Sequence, residues 1–167
     1  MDFKYYERKI NDIIIKCPIE AGVEILVYNV LDDIVESKGL SLVDINRIWK
    51  NRDERLTTKA GISDIAVLSK DFEFGDMNKG KVFGLVEVKA TNRVLKETEQ
   101  VEGHKESSGH YIFTNGLVWK IYNKNGNDTI YLTKSKIDSV NSARTVIIDE
   151  DSFIGLIDKL KSIDWKN

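Results

Sequence analysis

The sequence has few of the residues that form disulfides or zinc sites. Its 167 residues include one cysteine, Cys17, and two histidines, His104 and His110. A single cysteine excludes an internal disulfide and favours a reducing compartment, so we expect a cytoplasmic protein. The apolar neighbours of Cys17 predict a buried structural thiol rather than a nucleophile. The two histidines are distant from Cys17 in sequence, and the usual ligand spacing of a zinc site is absent.

Long apolar runs and a strong net charge are also absent. No run reaches the roughly 20 residues that cross a bilayer as a helix. The N-terminal residues lack the cationic-then-apolar order of a signal peptide. We therefore expect no membrane partner. The formal net charge of −2 gives no overall signal for nucleic acid, so a nucleic-acid site would require a local basic patch.

The chain does contain enough apolar sequence for one core. Hydrophobic residues make up 41% of the sequence and charged residues 31%, which is typical of a globular domain of this length. Helices are predicted over 4–17, Pro18–Ser37, Leu42–Trp49, Asn92–Lys105 and after Asp149. Strands are predicted over Gly61–Leu68, Lys81–Ala90, His110–Thr114, Val118–Asn123, Thr129–Thr133 and Thr145–Ile148. These elements predict an α/β fold with a central mixed β-sheet flanked by α-helices.

Local signals support several of these boundaries. Pro18 suits the first turn of the second helix, and Gly39 suits the position just after its end. Asn115-Gly116 between two strands is a strong hairpin signal. We expect Trp49, Trp119 and Trp165 to be packing residues rather than base-stacking platforms, and we expect His110 to be exposed.

Three charged residues in apolar strands attract the most interest. Asp64 lies in the run Gly61–Leu68, and Glu87 and Lys89 end the run Lys81–Ala90. Charged side chains seldom occupy such runs without a partner or a metal. Strand side chains alternate between faces, so Glu87 and Lys89 point to the same side. If the two strands pair in register, Asp64 joins them.

Two carboxylates and an ammonium on one face can hold a hard cation and activate water. Asp64 and Glu87 would supply oxygen ligands for Mg²⁺ or Mn²⁺, with the backbone carbonyl of Val88 as a further ligand. Lys89 would position the attacking water or balance negative charge on a phosphodiester. The alternative is a Glu-x-Lys pair on a solvent-facing strand, which is common and serves solubility and cross-strand pairing.

The order and spacing of these residues resemble the PD-(D/E)XK nuclease superfamily. Within it, the chain is similar to the N-terminal nuclease domain of type I restriction enzyme motor subunits. Asp64 stands for the first strand motif, and Glu87-Val88-Lys89 stands for the second. An acid near the start of an apolar helix, Glu20 or Glu24, matches a further feature, with Glu20 preferred. The resemblance covers roughly residues 18–123, and it implies a restriction-endonuclease-like fold in one nuclease-like domain over residues 1–167.

The resemblance also implies a glutamine helix after the active-site strand. Gln100 stands for that glutamine, with an implied hydrogen bond to a ligand carboxylate at the active site or to a DNA phosphate, and an exposed helical glutamine is the alternative. The family often has Gln-x-x-x-Tyr there, whereas this chain has Gln100-Val-Glu-Gly-His104, so histidine replaces tyrosine. The family's enzymes continue into a helicase motor, and this chain contains no P-loop. The resemblance therefore implies DNA as a partner, and a helicase or restriction complex as a further one.

Basic residues near these motifs are candidates for contact with the DNA backbone. The candidates are Arg52, Arg55, Lys59, Arg93, Lys96 and His104. A solvated loop is the alternative for the first three, because Asp53 and Glu54 dilute their charge.

Two hypotheses about function follow from the sequence. The first is a Mg²⁺-dependent deoxyribonuclease of a restriction-modification type. A homodimer would suit this activity, because one active centre cuts only one strand of a duplex at a time. The second is a catalytically silent nuclease-fold module that binds nucleic acid or a restriction or defence enzyme without cutting.

Overall fold

The computed structural model of the protein describes residues 1–47, 53–124, 126–141 and 144–167, without the side chains of Gln100, Glu106 and Ser107. Two residues discussed above, Trp49 and Arg52, therefore lie outside the described part of the chain. The side chain of Gln100 does as well, so its predicted role stays a prediction.

A six-stranded mixed sheet forms the centre of the fold, with the strands in chain order from one edge to the other. The strands are β1 Leu40–Asp44, β2 Ile65–Ser69, β3 Val82–Val88, β4 His110–Thr114, β5 Val118–Asn123 and β6 Gly126–Tyr131. Strands β3 and β4 pair parallel, and the other neighbouring pairs are antiparallel. The predicted α/β fold with a central mixed sheet is confirmed.

In the part of the chain that the structure describes, four α-helices flank this sheet: α1 Phe3–Lys16, α2 Glu20–Ser37, α3 Glu99–Ser107 and α4 Glu150–Ser162. Asp2, Thr98 and Asp149 cap the starts of α1, α3 and α4 with side-chain hydrogen bonds. Pro18 lies before the cap residue of α2, Ile19, rather than in the first turn. Gly39 has φ +69°, as expected for the residue that follows a helix end.

The core lies between the sheet and its helices. Strands β2 and β4 are almost wholly buried, as are the apolar stripes of α1 and α2. Trp119 and Trp165 belong to this core, with 0% and 2% of their surface exposed, which confirms the packing role predicted for them. No helix in the described ranges is long and apolar enough to cross a membrane.

The structure corrects three predictions about secondary structure near the sheet edges. Leu40–Asp44 forms β1 where a helix over Leu42–Trp49 was predicted, because Leu40 and Leu42 alternate into the core and pair with β2. Thr145–Ile148 is not a strand, because the side chain of Asn11 bonds both the N–H and the carbonyl of Val146. Strand β6 begins at Gly126, earlier than predicted.

The helix predicted over Asn92–Lys105 is also shorter than expected, since α3 begins at Glu99. Cys17 is exposed rather than buried, because it lies just beyond the end of α1. His110 is buried rather than exposed, with its ring centroid 5.3 Å from that of Trp165. The degree of exposure predicted from the sequence was therefore wrong for both Cys17 and His110.

Candidate active site

Asp64 lies directly before β2, beside the end of β3 that carries Glu87. Ile65, the first residue of β2, pairs with Val86. The Asp64 N–H donates to the Val86 carbonyl at 3.1 Å. The Val88 N–H donates to Oδ2 of Asp64 at 2.6 Å. These two bonds bring Asp64 to the Glu-x-Lys segment, although Asp64 lies before β2 rather than within the predicted strand Gly61–Leu68.

The side chains of Glu87, in β3, and Lys89, the residue directly after β3, meet. The Lys89 Nζ donates to Oε1 of Glu87 at 2.6 Å, and it lies 3.7 Å from Oε2 of Glu20. Glu87 is 5% exposed, whereas Lys89 is half-buried. The ammonium thus reaches from the buried carboxylate towards the surface, between acids from β3 and from the start of α2.

The two acids of the site are strongly desolvated. Burial, followed by the nearby charge of Glu87, raises the pKa of Asp64 to about 7. The Val88 N–H and the Lys89 ammonium oppose this shift, and Glu24 adds to it. Burial alone would lower the pKa of Lys89, but Glu87, Glu20 and Asp64 raise it above its usual value. Lys89 is therefore charged at neutral pH.

Both helix acids lie near this group, in different positions. Glu24 is 8% exposed and accepts a hydrogen bond from Nδ2 of Asn46 at 2.8 Å. Burial raises its pKa, with further contributions from Asp44 and Glu20, and its charge also raises the pKa of Asp64. Glu20 is half-exposed and faces Lys89. Glu24 is thus the more buried of the two acids, and the preference for Glu20 as the acid of the site stays a prediction.

His104 occupies a different environment from the one the sequence predicted. Its side chain is fully buried and its ring stacks on that of Tyr111, with centroids 5.6 Å apart. Its Nδ1 lies 2.8 Å from Oγ1 of Thr58, and its Nε2 lies 3.9 Å from Oε2 of Glu87. The predicted phosphate contact by His104 does not fit this burial, because the ring lies beneath the site.

Two of the predicted DNA-contacting residues lie beside the site. Arg93 and Lys96 are exposed, and they line a cavity of about 250 Å³ together with Glu20, Glu87 and Lys89. A basic rim around a cavity with acids and a lysine at its base suits an anionic polymer.

Arg55 is directed inward rather than toward this cavity. Its guanidinium bonds the buried carboxylate of Asp53 at 2.6 Å and 2.9 Å, and it donates to the carbonyls of Glu73 and Lys79. It also lies over the ring of Phe72, 4.0 Å from the centroid. These contacts contradict the prediction that Arg55 binds DNA. Lys59 is exposed, and its predicted contact stays a prediction.

The donor set of the site fits a hard divalent cation. Mg²⁺ uses one or two carboxylates and keeps several waters, and Asp64 and Glu87 supply two desolvated carboxylates. Among the described residues, no group of three or more His, Cys, Asp or Glu side chains is placed to hold a metal ion. The backbone N–H and the carbonyl of one strand residue point towards the same neighbouring strand. Because the Val88 N–H bonds Asp64, the Val88 carbonyl also points towards Asp64.

Sequence reasoning did not identify the residues that support Glu87 and Glu24. Ser63 is fully buried and lies 3.4 Å from Oε2 of Glu87 through its Oγ. Thr58 holds the ring of His104, and Asn46 holds Glu24. Only Ser63 had a sequence signal, because it directly precedes Asp64.

Comparisons with known proteins support the fold. No family model and no curated protein sequence matches the chain. Among solved structures, the chain is similar to a protein in a cryo-electron-microscopy structure of a DrdV–DNA complex, with a TM-score of 0.58 and 13% identity. The match covers 96% of this chain but 14% of that chain. This likeness agrees with a restriction-endonuclease-like fold, and at such low identity it concerns the fold alone.

Proposed function

We propose that the protein is a metal-dependent nuclease that hydrolyses phosphodiester bonds in DNA, with a site of PD-(D/E)XK type. The observation that carries this proposal is the hydrogen bond from the Val88 N–H to Asp64, which holds Asp64 beside Glu87, with Lys89 bonded to Glu87. The structural similarity to a protein solved in complex with DNA supports DNA as the partner. The proposed domain spans residues 1–167.

In this proposal Asp64 and Glu87 hold Mg²⁺ or Mn²⁺, with the Val88 carbonyl as a further ligand. The cation, when bound, would lower the pKa of water and neutralise charge on the phosphate. The hydrogen bond from the Val88 N–H fixes one oxygen of Asp64 and leaves the other for a ligand. Glu24, which is buried and acts electrostatically on Asp64, supports the acidic group from α2.

Lys89 supplies the positive charge that the reaction requires near the scissile phosphate. Its contact with Glu87 holds the ammonium between the buried acid and the cavity, where it orients water and stabilises negative charge. Its raised pKa keeps it protonated, so it acts as a hydrogen-bond donor rather than as a base. Arg93 and Lys96 would bind the DNA backbone at the rim of the cavity.

A second candidate function is a silent module that binds DNA, or a helicase or restriction enzyme, without cutting. The observation in its favour is that the described side chains include no group of three potential metal ligands. In such a module the ion pairs of Lys89 with Glu87 and Glu20 would only stabilise the fold.

A cleavage assay separates the two candidates. Wild-type protein with Mg²⁺ or Mn²⁺ should cut DNA, and chelation should stop it. Lys89→Ala should lower the rate about 100-fold or more, because it removes a charge that acts in the transition state. The matched control is Lys70→Ala, an exposed lysine just beyond the far end of β2. DNA binding without cleavage by wild type supports the silent module, and equal cleavage by Lys89→Ala refutes the site assignment.

A further inference from the structure

The ring of His104 presents one nitrogen to the proposed metal ligand Glu87. The Nε2 atom is buried, and it has no hydrogen-bond partner among the residues that the structure describes. Its separation from Oε2 of Glu87 is 3.9 Å, longer than the roughly 3 Å of a formed hydrogen bond. Buried polar atoms are rarely left unpaired, and hydrogen bonds at catalytic sites are often long before ligands bind. A small movement of ring or carboxylate completes this bond.

The contacts of Thr58 and of Glu87 together indicate which ring nitrogen carries the proton. Oγ1 of Thr58 accepts from the Ala60 N–H at 3.1 Å and lies 2.8 Å from Nδ1 of His104. The Thr58 hydroxyl also lies 2.9 Å from the Gly61 carbonyl, so its proton has two acceptors within reach, that carbonyl and Nδ1. The carbonyl accepts the Thr58 backbone N–H at 2.8 Å as well, and it keeps that donor when the hydroxyl proton goes to Nδ1. A neutral ring that accepts at Nδ1 has its proton on Nε2. The opposite tautomer would direct a lone pair at the Glu87 carboxylate.

Glu87 is therefore contacted by donors at both of its oxygens. Lys89 bonds Oε1 at 2.6 Å, and the Ser63 hydroxyl contacts Oε2 at 3.4 Å. His104 is the additional group at Oε2. Carboxylates that bind metals are commonly oriented by such outer hydrogen bonds, which set their direction and affinity.

We propose that His104 is a positioning residue, which donates from Nε2–H to Oε2 of Glu87 and fixes that carboxylate for metal binding. The effect on metal binding rests on the proposed function, whereas the hydrogen bond from His104 to Glu87 does not require a metal. The competing role is simple packing, since the ring also stacks on Tyr111. Packing requires the shape of the ring, whereas positioning requires a donor at the place of Nε2.

The first test observes the proton directly in the wild-type protein without metal. The chain has only two histidines, so a long-range ¹H–¹⁵N spectrum of labelled protein contains two rings, and His104→Gln assigns them. We expect a proton on Nε2 of His104 at neutral pH. A spectrum that shows Nε2 without a proton overturns the proposal, whatever the activity of the protein.

The second test compares two amide substitutions by Mn²⁺ titration calorimetry and thermal unfolding. The amide nitrogen of Gln lies near the place of Nε2, whereas that of Asn lies near Nδ1 and cannot reach Glu87. We expect His104→Asn to weaken Mn²⁺ binding by about 10-fold or more, and His104→Gln to recover most of this loss. Equal loss of affinity in both variants, in proportion to their loss of thermal stability, indicates packing alone and overturns positioning.

The two tests keep this inference separate from the proposed nuclease. If the wild-type protein binds no Mn²⁺, the proposed function fails, and the protonated Nε2 in the spectrum still decides whether His104 donates to Glu87. If wild type binds Mn²⁺ and both amide variants bind equally well, the site stands and the positioning role of His104 is wrong.

Discussion

Asp64 lies directly before β2 and accepts a hydrogen bond from the Val88 N–H, next to Glu87, and the proximity of the two buried carboxyl groups disfavours two negative charges. Burial and the charge of Glu87 raise the pKa of Asp64 to about 7. The fold therefore holds an acid in a position where its ionisation is costly. A bound divalent cation would offset that cost. The dependence of stability on pH, with and without metal, therefore tests whether the two carboxyl groups form a metal site.

The first prediction concerns stability and pH in the absence of metal. The pKa of Asp64 is about 7 in the folded protein and about 4 in the unfolded chain, so the folded state binds the proton more tightly. The contribution of protonated Asp64 to the unfolding free energy is fully present below pH 4, and it is lost as the pH rises towards 7. Relative to wild type, Asp64→Asn should gain about 2–4 kcal/mol in unfolding free energy between pH 4 and 8. Urea unfolding at several pH values measures this difference.

Metal provides the control for this prediction. Mn²⁺ at pH 8 should stabilise the wild-type protein and leave Asp64→Asn nearly unchanged, since a ligand stabilises only the state that binds it. A difference between the two proteins that does not vary with pH would show that Asp64 is not the titrating group.

The second prediction distinguishes the two acids of α2. Glu24 is buried and acts on Asp64, whereas Glu20 is half-exposed and contacts Lys89. Glu24→Gln should therefore reduce Mn²⁺ affinity and cleavage more than Glu20→Gln, by about 10-fold or more for an acid that supports a metal ligand. Calorimetry and single-turnover cleavage of the two matched variants measure the order. The reverse order would restore Glu20 as the supporting acid.

The third prediction concerns DNA binding at the rim of the cavity. Arg93→Ala and Lys96→Ala should each weaken DNA binding similarly for all sequences and lower the slope of log affinity against log salt by about 1. Fluorescence anisotropy at several salt concentrations measures both effects. Lys161→Ala, an exposed lysine in α4, is the matched control and should leave the slope unchanged. Unchanged slopes in the two rim variants would mean that DNA does not cross this rim.

The fourth prediction assigns Arg55 to folding rather than to DNA. Its guanidinium pairs with the fully buried carboxylate of Asp53, and it joins the loop before β2 to the turn before β3. Arg55→Ala leaves that carboxylate buried without its partner, so we expect a loss of about 3 kcal/mol in unfolding free energy. Denaturant unfolding tests this against Arg144→Ala, which changes an exposed arginine. Weaker DNA binding at full stability would contradict the assignment.

The sheet centre and the hairpin could be predicted from the sequence because their signals are local. The apolar run through Val82–Val88 and the turn at Asn115-Gly116 need no distant partner to be recognised. Strand β1 was missed because Leu42, Ile45 and Trp49 also have helical spacing. The pairing of Leu40–Asp44 with β2 decides between the two interpretations, and that contact lies far away in sequence.

The acidic pair was predictable for a similar reason, whereas its support was not. Alternation along the chain places Glu87 and Lys89 together, and the pairing of β2 with β3 brings Asp64, the residue before β2, to them. The position of His104 depends on Thr58, which lies 46 residues away, and on stacking with Tyr111. Such contacts arise only from the packing of α3 on the sheet, so spacing in the sequence contains no signal for them.

The central claim is that Asp64 and Glu87 share one divalent cation. The most direct measurement is the anomalous scattering of Mn²⁺ in crystals of the wild-type protein grown with that ion. The account predicts one strong peak between the carboxylates of Asp64 and Glu87, and its loss in Asp64→Asn. A wild-type crystal saturated with Mn²⁺ and showing no peak between these two side chains would contradict it.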